Sequence, residues 1–103
     1  MIPLVGDIVI YKLTSVDVDQ INRRRTTGVS IAERIKVLMW PVGAQAHIGN
    51  SVEEGMEFPM LIVRVWGYTQ GSAVQGQVFL DGNDVYWATS KLEGNNPGEW
   101  RVK

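Results

Sequence analysis

Few side chains in this sequence are equipped for chemistry. His47 is the only histidine, and there is no cysteine. That excludes disulfides, thiol nucleophiles and cysteine-ligated zinc, and also a two-histidine metal site within one chain. His47 sits between Ala46 and Ile48, which reads as a strand residue making a structural hydrogen bond near Gly49-Asn50 rather than an acid–base group. Asp81-Gly82-Asn83-Asp84 gathers oxygen ligands. It is far shorter than an EF-hand loop and lacks the bidentate glutamate at the required spacing. Asp-Gly and Gly-Asn between apolar runs are hairpin chemistry instead, because Gly and Asn accept positive φ cheaply. Glu53 and Glu54 are neighbouring carboxylates, able in principle to perturb each other's pKa, but a polar glycine-bearing loop solvates both. No Ser-His-Asp order, phosphate loop or dinucleotide fingerprint occurs. The expectation is a protein that is not an enzyme, with no cofactor and no metal.

What remains is the chemistry of contact. Arg23-Arg24-Arg25 is the densest positive cluster. From Val16 to Lys36, five cations (Arg23, Arg24, Arg25, Arg34, Lys36) oppose three carboxylates (Asp17, Asp19, Glu33). The whole chain has 10 basic and 11 acidic residues, a net charge of -1. Binding dominated by phosphate contacts needs a larger excess, so strong nucleic-acid binding is not expected. Arginine is also enriched at protein interfaces, which makes an interface the better use of the cluster. The aromatic endowment points the same way: four tryptophans among 103 residues (Trp40, Trp66, Trp87, Trp100), with three tyrosines and two phenylalanines.

The elements that must position these residues read mainly as strands. Asp7 to Leu13 is β-rich and apolar on both faces, as for a strand covered on both sides. Thr14 and Ser15 are helix N-caps, and Asp17 stands at capping-box spacing from Thr14. Val18 and Ile21 follow at helical spacing, with the three arginines toward the carbonyl end. Ser30 caps a further helical stretch carrying Ile31, Ile35 and Leu38, and Pro41 ends the helical region. Short strands follow at Gln45–Ile48, Phe58–Tyr68, Gln77–Leu80 and Val85–Thr89, and Trp100-Arg101-Val102 closes the chain. Strict alternation places Leu61, Val63 and Val65 on one face of their strand and Met60, Ile62, Arg64 and Trp66 on the other. Either the inserted helices cover that second apolar face or a partner does. The expected fold is mainly β with a helical insertion: a single domain, 1–103, built as a small SH3-like antiparallel barrel with one or two helices at about 15–40.

A resemblance follows from Gly6-Asp7-x-Val9-x-Tyr11, Ile21-Asn22-Arg23-Arg24-Arg25, His47-Ile48-Gly49-Asn50, Leu80-Asp81-Gly82-Asn83-Asp84-Val85-Tyr86-Trp87-Ala88-Thr89-Ser90 and Pro97-Gly98-x-Trp100. Together these motifs resemble a family of small uncharacterised bacteriophage- and prophage-encoded proteins. The family has no assigned activity, so no catalytic residues carry over. The resemblance implies a phage-linked origin and a place in the host cytoplasm or the virion. The expected function is non-catalytic protein binding, as a capsid decoration or connector component or as a host-directed accessory factor. The partner is then a phage structural protein or a host protein, with a second copy of the chain as a further candidate. The alternative is a small-molecule or nucleic-acid binder using an aromatic cleft near Trp66, Tyr86 and Trp87. The residues expected at the contact are Arg64, Trp66, Tyr86 and Trp87, extended by Arg23, Arg24 and Arg25. Met1 to Val5 lacks the basic start and long apolar run of a leader. No stretch approaches the roughly 18 apolar residues of a bilayer span, so no membrane association is expected.

Overall fold

The computed structural model describes residues 1–26 and 47–103. Strand β1 (Ile8–Lys12) leads into helix α1 (Ser15–Arg24) and then the two-residue strand β2 (Arg25–Thr26). After residue 46 come β3 (His47–Ile48), β4 (Glu57–Val65), β5 (Val74–Phe79), β6 (Val85–Lys91) and β7 (Trp100–Arg101). Five strands form one antiparallel sheet in the order β6-β5-β4-β1-β7, and β2 pairs with β3 in parallel. The protein is mainly β, as its strand-rich pattern predicts. Among the described residues α1 is the one helix, and it is not long and apolar enough to cross a membrane. The helical stretch expected around Ile31, Ile35 and Leu38, with Trp40, lies outside the described residues.

Helix α1 starts where its cap predicts. The Asp17 N–H donates to Thr14 Oγ1 at 3.0 Å, and the Thr14 N–H donates back to Asp17 Oδ2 at 2.9 Å. Two orphan donors are thus satisfied reciprocally. The helix ends at Arg24, so Arg25 belongs to β2 rather than to the helix terminus. The side chain of Arg25 lies outside the described residues.

Two irregularities shape the sheet. Pairing runs Ile62↔Gly76 and then Arg64↔Gln75, which leaves Val63 as an extra residue in β4. In β6, pairing jumps from Gly76↔Ala88 to Val74↔Lys91, and Ser90 in the gap has φ 53°. Bulges of this kind bend a strand and reset which side chains face inward. Gly76 lies between them in β5. A Cβ there would come within 2.5 Å of Met60 Cγ and 2.7 Å of the Leu61 carbonyl oxygen, so only glycine admits β4 this closely.

The inner face carries Val9, Tyr11, Met60, Ile62, Val74, Val78, Tyr86, Ala88 and Trp100, all buried, with Leu13, Ile21 and Val52 packed against them. Helix α1 covers this face through Ile21 and the half-buried Val18. The outer face carries Ile8, Phe79, Val85 and Trp87, all exposed. The expectation that β1 is covered on both sides is therefore corrected: Val9 and Tyr11 are buried, whereas Ile8 is 47% exposed. The hydrogen-bonded strands make an open sheet with β6 and β7 at its edges. The expected barrel is not closed by strand pairing, because β7 is only two residues long and meets the chain beyond β6 at a single bridge, Glu93↔Trp100.

Candidate functional site

The residues expected at a contact separate into two groups. The first is Arg64 and Trp66. Alternation alone puts them on the face of Met60 and Ile62, and the bulge at Val63 overturns that. Arg64 pairs with Gln75 and Val65 with the buried Val74, so Val65 turns inward and Arg64 turns outward. Trp66 is 48% exposed, and the Arg64 guanidinium lies 4.1 Å from its ring centroid. Such a stack restrains both side chains against each other while leaving them accessible.

The second group lies where α1 meets the edge strand β6. Tyr86 and Trp87 are adjacent, so they take opposite faces of the sheet. Trp87 points outward and is 45% exposed; Tyr86 points inward and is buried. Gln20, Arg23 and Arg24 from α1 join Tyr86 and Trp87 to line a groove of about 430 Å³. Arg24 sits over the Tyr86 ring, 5.7 Å from its centroid, and its Nε donates to the Gln20 carbonyl oxygen at 3.2 Å. Arg23 is paired with Asp19 at 2.8 Å. Among the described residues no carboxylate pairs with Arg24.

The floor of this groove rests on Asp17, a residue the sequence marks only as a helix cap. Its buried carboxylate accepts the Tyr11 hydroxyl at 2.6 Å and the Tyr86 hydroxyl at 2.8 Å, besides the Thr14 N–H. The Tyr86 hydroxyl also lies 2.7 Å from Gln20 Oε1. Burial alone would raise the Asp17 pKa. The hydrogen bonds from Thr14, Tyr11 and Tyr86 outweigh it and hold the carboxyl below its ordinary value. Burial, reinforced by Asp17, pushes the Tyr86 hydroxyl up to about 12, and the Tyr11 hydroxyl is raised for the same reasons. Both phenols stay protonated as donors, and the carboxylate stays charged as acceptor. The network ties α1 to β1 and β6 and fixes the Tyr86 ring beneath Arg24. No short-range signal links Asp17 to Tyr86, which lies 69 residues away. The position of Gln20 likewise emerges only from the packing.

Other sequence candidates fall elsewhere. Residues 80–84 connect the antiparallel strands β5 and β6, as expected, but neither Gly82 nor Asn83 takes the positive φ on which that expectation rested, and Gly82 bridges to Gly49. Glu53 and Glu54 are exposed on a loop. The side chain of His47 lies outside the described residues. A second, apolar recess of about 250 Å³ is lined by Ile2, Pro3, Leu4, Val5, Val65, Gly67 and Tyr68. No protein-family model, curated protein or solved structure matches the chain.

Proposed function

We propose that this chain is a non-catalytic protein-binding module. The observation that carries the reading is the outer face of the sheet, where Trp66, Trp87, Phe79, Val85 and Ile8 are each more than two-fifths exposed, with Arg64 stacked among them. Register places Ile8 and Trp87 in one row across four strands, through Leu61 and Gln77, and sets Phe79 opposite Val85. Trp, Tyr and Arg dominate interface energetics when a partner desolvates them, and contiguous exposed apolar surface marks interaction sites. The phage-linked motifs support a setting in the virion, as a decoration or connector component, or in the infected cell, as a host-directed factor. The SH3-like barrel belongs to the same reading. Its support is the approach of the two sheet edges: Trp100 bridges to Glu93, and its indole N–H donates to the Lys91 carbonyl oxygen at 3.1 Å.

The test combines purified virions with paired variants. Stoichiometric copies in virions by mass spectrometry identify a structural role; absence from virions directs the search to host proteins. In either setting the wild-type chain should retain a defined partner that Trp66→Ala and Trp87→Ala lose, with both variants keeping the wild-type circular dichroism spectrum. Partner retention by both folded variants would refute the outer face as the contact.

A further inference from the structure

We propose that the groove between α1 and β6 captures an extended, acidic segment of a partner protein. The segment would add as a strand along the β6 edge with a carboxylate on Arg24. The inference rests on the protein-binding reading and names the partner's chemistry at a second part of the surface.

Two features of the groove select this occupant. One is the open strand edge. β6 is an outer strand of the sheet; its last carbonyl, at Lys91, already accepts the Trp100 indole N–H, and ahead of that point no strand among the described residues pairs with its free side. Its unpaired backbone groups are the template that an incoming extended chain uses. The other is charge. Arg23 is neutralised by Asp19, whereas Arg24 has no carboxylate partner among the described residues. Arg24 is nevertheless held in place, with Tyr86 beneath it and the Gln20 carbonyl on its Nε. Tyr86 is in turn fixed by Asp17. A guanidinium ordered in advance and lacking a counter-charge favours a carboxylate ligand.

Strand alternation then sets the register of the partner. Side chains of an added strand point alternately to the α1 side, where Arg24 and Gln20 stand, and to the outer side, beside Trp87 and Val85. The preferred segment therefore alternates acidic and apolar residues, with equivalent side chains about 7 Å apart. A polynucleotide fits less well. One uncompensated arginine in the groove and a net charge of -1 leave few counterions to release.

The probe is a fluorescein-labelled octapeptide of alternating Glu and Val, compared by anisotropy with its Gln–Val counterpart and with a labelled oligo-dT. The full chain should bind the Glu–Val peptide about tenfold more tightly than the Gln–Val peptide, a preference that rising salt weakens. Arg24→Gln should abolish the preference at unchanged melting temperature, and Lys103→Gln, exposed and outside both proposed surfaces, should leave it intact. Equal binding of the two peptides, an undiminished preference in Arg24→Gln, or tighter binding of oligo-dT than of either peptide would each overturn the proposal. Loss of the natural partner by Trp66→Ala, without any Glu–Val preference, would refute the groove alone and leave the protein-binding reading standing.

Discussion

Tyr86 and Trp87 are neighbours in the chain and have opposite fates. Tyr86 lies under α1 with its hydroxyl on a buried carboxylate, while Trp87 lies on the outer face, 45% exposed. The same contrast runs across the whole sheet. Inside, Trp100 and Tyr11 are fully buried, and their polar atoms are matched: the Trp100 indole to the Lys91 carbonyl, the Tyr11 hydroxyl to Asp17. Outside, Trp66 meets a guanidinium and solvent. Aromatic content therefore does not reveal what an aromatic ring is for. A ring whose polar handle finds a protein partner is tied into the fold, and one whose face is left open is available to a ligand.

The sharpest way to break this comparison is to truncate one ring on each face. Trp100→Ala should cost about 3–5 kcal/mol, because a fully buried ring leaves a cavity and strands the Lys91 carbonyl. A denaturant midpoint close to wild type would show that the inner face is not the core.

The next largest effect is expected at Asp17. Asp17→Asn replaces a charged acceptor beneath two tyrosine hydroxyls and should cost about 2 kcal/mol at neutral pH. It should also change the acid response. The folded-state pKa of Asp17 lies below its ordinary value of 3.8. Its contribution to stability is thus complete above that value and is lost as pH falls through the lower, folded value. Wild type should lose stability on acidification below about pH 4 through this group, and Asp17→Asn should lose less. Parallel melting curves for the two proteins over that range would contradict the assignment.

The smallest effect is expected outside. Trp66→Ala should change stability by no more than about 1 kcal/mol, the scale of an exposed cation–π contact. A loss comparable with that of Trp100→Ala would mean that Trp66 is covered in the folded protein, and the two faces would no longer differ in kind.

Much of the fold was legible because its signals are local. The Thr14–Asp17 cap lies within one turn of chain, and the connection at residues 80–84 follows from its place between two apolar runs, not from positive φ at Gly82 or Asn83. The outward aspect of Phe79 between Val78 and Leu80 follows from a period of two. The face of Arg64 and Trp66 was not legible. A single extra residue at Val63 inverts everything after it, and no residue type announces the inversion.

The candidate site divides along the same line. The types of its contact residues, Arg23, Arg24, Tyr86 and Trp87, stand out in the sequence, since few other side chains are suited to recognition. Their meeting in one groove was decided by the packing of α1 onto the inner face, which brings residues 20–24 against residues 86 and 87. Local spacing determines caps, turns and alternation, because those forces act over a few residues. Whether a ring ends buried or open depends on which distant segment reaches it. Tyr86 is covered by α1, whose Asp17 lies 69 residues away and accepts its hydroxyl, and only the folded chain brings the two together.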